Sequence, residues 1–372
     1  MSYLETLEPI ATGVVAQHAP EVDGEARFPR ESVDALGRAG LLGLLSATEV
    51  GGLGLGLGAG VRVIERLAQE CGSTAMVTTM HYAGAAVVEK HGPEDLRRKL
   101  ATGERLTTLA FSEAGSRSHF WAPLSTAVRE GDQVRLDAQK SWVTSAREAT
   151  DYVWSSKPSE GAEASTLWLV PRGAAGLSFP SGGFDGLGLR GNDSLPVVAK
   201  GVKVPVSARL GGEGEGFGIM MGTVLPTFNL LIAAGAIGLM GGALRRTIAH
   251  VRGARYAHLD TTLADLPTIR AYVARMQVKT DMARALVLDA AAAVEGGRAD
   301  AMLCVLGAKA AAGETAGEVL DLAMRVCGGQ AFRKDVGVER SFRDARAAGV
   351  MAPTTDQLYD FIGKAVCGLP LF

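Results

Sequence analysis

The chain has 372 residues, of which 47% are hydrophobic, 6% are aromatic and 21% are charged, and its formal net charge is −2. This hydrophobic fraction is enough for a large folded core and argues against a disordered chain. The balanced charge, without a basic block, argues against a nucleic-acid partner, and the scarcity of aromatic residues argues against a stacking surface for single strands.

The N-terminal residues and the cysteines predict a cytoplasmic protein. The start, MSYLETLEPIATG, lacks the basic and apolar regions of a signal peptide. The longest apolar run, residues 230–244, is shorter than the roughly 20 residues of a membrane span, so it predicts a buried helix and no membrane insertion. The four cysteines and six histidines are scattered, which argues against disulfides and against a metal site.

Three regions follow one another along the chain. Residues 1–108 place apolar residues at helical spacing, with one helix predicted to start at Ser32. Residues 109–215 contain alternating segments such as QVRLDAQKSWVT and predict a β domain. The helical period returns in residues 216–372, where Pro267 predicts a helix start and glycine pairs predict helix ends. The predicted fold is α+β and mainly α, with an N-terminal helical domain, a middle β domain and a C-terminal four-helix bundle.

Single motifs give little indication of function. GLGLRG, residues 186–191, has the spacing of a dinucleotide-binding fingerprint, but a strand-like segment follows it where that fingerprint requires a helix. His119 and Trp142 are individually typical of a loop histidine and a packed strand aromatic.

The order of five segments is more specific. These are AFSEAGSRSHFW (110–121), KSWVTSA (140–146), LGLRGNDS (187–194), VKVPVSARLGGEGEGF (202–217) and CGGQAFRKDVGVERSFRDA (327–345). In order and spacing the chain resembles the acyl-CoA dehydrogenase superfamily of flavoproteins over nearly its whole length. The last segment reproduces the family's double glycine and its Arg-Asp-Ala run.

The resemblance implies an FAD between the β domain and the C-terminal bundle. It places Phe111, Ser112 and Ser118 along the flavin ring, Trp142 beside the ring and Thr144 near flavin N5. A hydroxyl at that place is chemically suitable because N5 receives the hydride.

The resemblance also implies contacts with the ADP half of FAD, which a neighbouring subunit grips in this family. Gly328 and Gly329 match the backbone that lets the ADP approach, and Thr354 falls where the family touches FAD again. The family's arginine before a Gln-Phe-Gly motif has no direct counterpart, so Arg255 and His258 are expected to serve there.

The carboxylate that removes the substrate α-proton in this family is missing at both of its known positions. Most members carry a glutamate seven residues beyond the Arg-Asp-Ala run, where this chain has Ala352, followed by Pro353. Other members carry it on a helix before an Ala-Ala-Gly motif, where this chain has Phe228, next to Asn229. Ala352 keeps only the backbone N–H that polarises the thioester carbonyl in the family.

A replacement base must come from another polar side chain, or the reaction must differ. By alignment Asp356, Tyr359 and His119 lie nearby, and histidine is generally suited to proton transfer at neutral pH. Three alternatives stay open: a redox enzyme acting on an acyl group bound to CoA or to acyl-carrier protein, a monooxygenase that uses reduced flavin and oxygen, and a non-redox flavoprotein. The expected partners are that acyl substrate, further copies in a homodimer or homotetramer, and an electron-transfer or reductase protein.

Overall fold

The computed structural model describes residues 2–117, 119–161 and 165–370. It confirms the predicted order of a helical region, a β region and a second helical region. The N-terminal helices are α1 (Tyr3–Ile10), α2 (Ala16–Gly24), α3 (Arg30–Arg38), α4 (Leu57–Glu70), α5 (Gly72–His91) and α6 (Glu94–Ala101). The C-terminal helices are α7 (Gly216–Ile219), α8 (Leu225–Gly253), α9 (Pro267–Glu295), α10 (Ala301–Cys327), α11 (Val338–Val350) and α12 (Thr355–Val366).

The middle region forms two four-stranded sheets around a shared core. One sheet has the strand order β1-β4-β5-β8 and the other β2-β3-β7-β6. Their strands are β1 (Thr107–Ala110), β2 (Thr126–Glu130), β3 (Gln133–Val143), β4 (Asp151–Ser156), β5 (Thr166–Pro171), β6 (Leu177–Ser178), β7 (Leu195–Pro205) and β8 (Arg209–Leu210). Trp154 and Trp168 of the first sheet pack with Val134 and Val197 of the second. A short hairpin, β9 (Arg255–Tyr256) and β10 (Thr261–Thr262), lies between α8 and α9.

The C-terminal region is organised around α8, which contains the long apolar run of the sequence. Helices α7 and α8 and the π-helical turn Met220–Val224 between them form one continuous helical segment, Gly216–Gly253. This segment is long and apolar enough to cross a membrane by composition, but 83% of its most apolar 18-residue stretch is buried inside the protein. A Cβ added at Gly238 would lie 2.2 Å from the carbonyl oxygen of Glu65, so the glycine lets α8 contact the α4 backbone. The helix is therefore a core element, as the sequence predicts.

The prediction that a helix starts at Ser32 is wrong. Helix α3 begins at Arg30, directly after Pro29, and it ends at Arg38. Gly40 has a φ of 73°, and the chain continues in turns rather than in the longer helix that the apolar spacing predicts. Ser32 lies inside α3, and it is buried.

Candidate active site

A bulge in β3 presents the indole of Trp142 to the outside. The pairing of β3 with β7 shifts register between Lys140 and Val143, and Trp142 has a φ of 57°. Non-glycine residues rarely adopt this conformation, and strain of this kind is concentrated at functional sites. Trp142 is 71% exposed, with the ring of Phe184 edge-on to it at a centroid distance of 6.5 Å. The bulge therefore supplies a large flat surface on which another planar ring can stack.

Two further predicted flavin contacts lie close to Trp142 along the chain or across the sheet. Thr144 is buried, and its Oγ1 lies 3.0 Å from the Oγ of Ser194. The carbonyl of Ser112 accepts a 2.8 Å hydrogen bond from the N–H of Ser141, next to Trp142. The fold thus brings Ser112, Trp142 and Thr144 to one part of the β domain.

The neighbouring predicted contacts differ in their exposure. Phe111 is buried and stacks on Phe120, with ring centroids 6.4 Å apart. His119 is exposed, and its ring lies edge-on to Trp121 at a centroid distance of 5.0 Å. Ser118 lies outside the described residues. An exposed histidine is solvated, so His119 lacks the enclosed setting that generally tunes a catalytic base.

A buried ion pair between Glu113 and Lys140 supports this segment, and the sequence analysis missed it. Lys140 is 0% exposed, and its Nζ lies 2.5 Å from Glu113 Oε1 and 2.6 Å from the carbonyl oxygen of Ser155. Glu113 Oε2 accepts from the N–H groups of Leu124 and Ser125 at 2.7 and 2.9 Å. The pair therefore ties both ends of the loop that contains His119 to β3.

Both members of this pair have shifted pKa values. Burial lowers the pKa of Lys140 to about 8, against the raising effect of the Glu113 charge. Burial acts to raise the pKa of Glu113, but the Lys140 charge and the hydrogen bonds outweigh it and hold that pKa below its usual range.

The predicted ADP contacts lie on exposed segments. Gly328 ends α10 with φ 56° and ψ −138°, a conformation that only glycine adopts readily, and an added Cβ at Gly328 or Gly329 would meet nothing within 4 Å. Arg255 and His258 lie on the exposed β9–β10 hairpin, where Arg255 pairs with Asp260. The structure does not join this hairpin to the Trp142 region through any hydrogen bond or ion pair between described residues.

The Arg-Asp-Ala run anchors α11. Arg343 pairs with Asp23 of α2 and with Glu339 of its own helix. Asp344 is buried and accepts a 2.6 Å hydrogen bond from the N–H of Leu189, in the LGLRGNDS segment. Burial raises the pKa of Asp344 to about 6. The charged run therefore holds the helix that leads directly into the Ala352 segment.

The segment between α11 and α12 exposes an unused backbone donor. Ala352 is half-buried, and its N–H makes no hydrogen bond to the described residues. The carbonyl oxygens on either side, of Met351 and Pro353, both accept hydrogen bonds from Lys309 of α10. Thr354 caps α12 by accepting a hydrogen bond from the N–H of Gln357. A rigidly held segment with one free donor is suited to polarising a carbonyl oxygen.

The other predicted base candidates, Asp356 and Tyr359, are exposed. Asp356 is exposed in the first turn of α12. Tyr359 is exposed and donates a 2.5 Å hydrogen bond to Glu314, which raises the pKa of Tyr359 to about 12. A group with so high a pKa stays protonated at neutral pH, so Tyr359 is not a base there.

Helix α8 carries a buried amide without a partner. Asn229 is fully buried, and neither its Nδ2 nor its Oδ1 has a hydrogen bond within the part of the chain that the structure describes. Its neighbour Phe228 is half-buried and packs against the main core. A buried amide without a partner is costly, so Asn229 requires an explanation other than packing in the core.

Two cavities flank the Ala352 segment. The larger, here called the Pro353 cavity, has a volume of about 230 Å³ and carries no titratable side chain. It is lined by Trp121, Phe217, Met221, Leu225, Met302, Leu306, Pro353 and Phe361. The smaller, the Asp344 cavity, has a volume of about 30 Å³ and is lined by residues of α4, α5, α8 and α11, and by Leu189 and Met351. Along α8, Phe228 and Asn229 lie between Leu225, which lines the Pro353 cavity, and Leu231, which lines the Asp344 cavity.

Sequence profiles for known families match nearly the whole chain. The N-terminal, middle and C-terminal domains of acyl-CoA dehydrogenases match residues 2–104, 108–202 and 214–367. The chain belongs to the acyl-CoA dehydrogenase family. It is therefore an FAD-dependent oxidoreductase, and the FAD expected from the sequence is confirmed.

Individual relatives agree with this assignment. The chain is 29% identical over 371 residues to cyclohex-1-ene-1-carbonyl-CoA dehydrogenase of Geobacter metallireducens, covering 98% of this chain and 96% of that one. Its fold matches butyryl-CoA dehydrogenase from Megasphaera elsdenii with a TM-score of 0.92 at 22% identity, covering 98% and 97% of the two chains. The fold also matches that of PigA with FAD and proline, with a TM-score of 0.89 at 18% identity, covering 98% of this chain and 96% of that one. The two structural likenesses concern the fold alone.

Proposed function

We propose that this FAD-dependent oxidoreductase binds an acyl thioester beside the Ala352 segment and polarises its carbonyl through the Ala352 N–H, without a carboxylate base. The observation that carries the proposal is the unpaired N–H of Ala352, next to a cavity without any titratable side chain. The CoA thioester named for the Geobacter metallireducens relative supports an acyl-CoA substrate.

The residues around the β3 bulge fit a flavin ring. The exposed Trp142 indole offers a stacking surface, and the Thr144 and Ser194 hydroxyls, 3.0 Å apart, are hydrogen-bonding groups close to it in the chain and the sheet. Bound FAD supplies a hydride acceptor to such a site. We propose that Ser112, Trp142 and Thr144 hold the ring, and that the ADP half is held by a neighbouring subunit through its Gly328, Gly329, Arg255 and His258.

Each residue near the substrate has a defined task in this proposal. The Ala352 N–H donates to the thioester oxygen and so stabilises negative charge that develops there. Asn229 supplies a buried amide to a polar group of the substrate, and the apolar residues of the Pro353 cavity exclude water. Asp356 and His119 are exposed, so the proposal assigns the task of the missing base to neither of them.

The carboxyl of Asp344 is the titratable group that lines a flanking cavity. It lies on α11, roughly 10 Å of helix before the Ala352 segment. Its Oδ1 is engaged by the N–H of Leu189. We therefore assign Asp344 to holding α11 and not to proton transfer. Loss of a general base typically costs about 10² to 10⁴ in rate, so the proposal predicts slow dehydrogenation of ordinary acyl-CoA.

The same observation favours a second candidate, a monooxygenase that uses reduced flavin and oxygen. Such a reaction needs no carboxylate to remove the α-proton, and the Pro353 cavity offers none. The experiment compares two reactions of the FAD-loaded protein: anaerobic mixing with a straight-chain acyl-CoA series, and mixing of the reduced protein with oxygen in the presence of the same thioesters. Slow bleaching in the first, without oxygenated product in the second, supports the dehydrogenase. Oxygenated product supports the monooxygenase.

An apolar stripe on α9 supports an oligomer. Val278, Met282 and Leu286 recur every four residues and so lie on one face of the helix. Their exposures are 56%, 66% and 37%. We propose that this face packs against another copy in a homodimer or homotetramer, in the cytoplasm, and that a separate electron-transfer or reductase protein exchanges electrons with the flavin.

A further inference from the structure

Lys309 is a buried lysine that has no acidic partner among the described residues. It is 1% exposed, and its Nζ donates to the carbonyl oxygen of Met351 at 2.9 Å and to the carbonyl oxygen of Pro353. None of the ion pairs in the described part of the chain includes it. Lysine is rarely buried to this extent without a counter-ion, so a structural or functional role for this side chain is expected.

The packing of α10 brings Lys309 close to the Ala352 segment. Gly313 lies one helical turn further along the same face of α10. A Cβ added at Gly313 would lie 3.5 Å from the Thr355 Oγ1 and 3.7 Å from the carbonyl oxygen of Ala348. The α10 backbone therefore lies against the end of α11 and the start of α12, and the Lys309 side chain reaches both carbonyls of the segment between them.

The geometry of one peptide plane links Lys309 to the Ala352 N–H. The carbonyl of Met351 and the N–H of Ala352 belong to the same peptide unit, which is trans, and in a planar trans peptide the two groups point in opposite directions. Because the Met351 carbonyl is turned toward Lys309, the Ala352 N–H is turned away from it. That N–H has no partner among the described residues.

We propose that Lys309 is a positioning residue, which fixes the Met351–Ala352 peptide so that the Ala352 N–H is aimed at the carbonyl oxygen of the substrate. The identity of the substrate in this proposal rests on the proposed function. The positioning of the peptide by Lys309 does not depend on it. Burial lowers the pKa of Lys309 to about 7. The neutral amine still carries two N–H donors, so both protonation states hold the two carbonyls.

The test uses the FAD-loaded protein with Lys309→Met, which keeps an unbranched side chain but removes the donors. Lys309→Gln keeps two N–H donors on a side chain one bond shorter. Lys279→Met is the matched control, because Lys279 lies in the same bundle and pairs at the surface with Glu318. The two measurements are the crystal structure of the 351–354 segment and the carbonyl stretching frequency of bound butyryl-CoA labelled with ¹³C at the thioester carbon.

The expected result is that Lys309→Met rotates the Met351–Ala352 peptide, that Lys309→Gln rotates it less, and that Lys279→Met leaves it unchanged. Wild type should lower the carbonyl frequency of butyryl-CoA, and Lys309→Met should lose at least half of that shift. An unrotated peptide in Lys309→Met would overturn the proposal. If that variant does not fold, Lys309→Leu, which also removes the donors, replaces it, and an unrotated peptide in that variant overturns the proposal in the same way. A rotated peptide together with no frequency shift in wild type would support the positioning role and contradict the proposed thioester substrate.

Discussion

The ion pair between Glu113 and Lys140 leads to a quantitative prediction for Lys140→Met. The substitution leaves the Glu113 carboxylate buried without its counter-charge, and it removes the donor to Ser155. Breaking a buried pair by removing one partner costs about 3–5 kcal/mol. The two remaining N–H donors to Glu113, from Leu124 and Ser125, place the expected loss at the lower end, about 3 kcal/mol.

The assay is urea unfolding followed by tryptophan fluorescence, together with FAD titration of each variant. Lys203→Met is the matched control, because Lys203 pairs with Glu130 at 2.8 Å in the same β domain while 52% exposed. Exposed pairs contribute about 0–1 kcal/mol, so this control should lose little. Lys140→Met should also weaken FAD binding, since the pair holds the loop beside the β3 bulge. A stability loss in Lys140→Met no larger than in Lys203→Met would refute the reasoning.

Three further predictions concern the cofactor, the pH dependence of stability and the assembly. Trp142→Ala should raise the Kd for FAD about tenfold, because a stacked aromatic pair contributes about 0.5–1.5 kcal/mol, whereas Trp142→Phe should keep most of the affinity in the same titration. Burial raises the pKa of Asp344 to about 6, so the folded protein holds the extra proton, and the contribution of Asp344 to stability should fall as pH rises from about 4 to 6. In a pH series of unfolding curves, the difference in stability between wild type and Asp344→Asn should therefore change by roughly 3 kcal/mol across that window, in favour of the variant as pH rises. Met282→Lys should dissociate the oligomer in sedimentation experiments at micromolar concentration, while the exposed Lys203→Met should not.

Much of the architecture follows from local sequence rules. Pro267 starts α9, and Gly328 follows the end of α10, because a missing N–H is harmless in a first turn and a positive φ suits glycine. The position of α3 does not follow from them. The apolar spacing after Ser32 continues past Arg38, but the chain turns at Gly40 because tertiary packing decides where that helix ends.

Some residues of the candidate site can be located from the sequence, and others only from the structure. Trp142 and Thr144 belong to a linear segment whose order and spacing resemble the family, so the sequence locates them. Lys309 is found only in three dimensions, because its partners are backbone carbonyls and no residue type marks them in the sequence. A lysine among the buried residues Val305, Ala308 and Ala312, on the apolar face of α10, was the available signal.

The central claim is that this chain keeps the carbonyl-polarising N–H of Ala352 and lacks a base beside it. The most direct test is anaerobic bleaching of the bound flavin by a straight-chain acyl-CoA series in wild type, Ala352→Glu and Ala352→Gln. The account predicts slow bleaching in wild type and in Ala352→Gln, which adds the same bulk without a base, and a rate about 10² higher in Ala352→Glu. Rapid bleaching of wild type, or equal rates in the Glu and Gln variants, would contradict it.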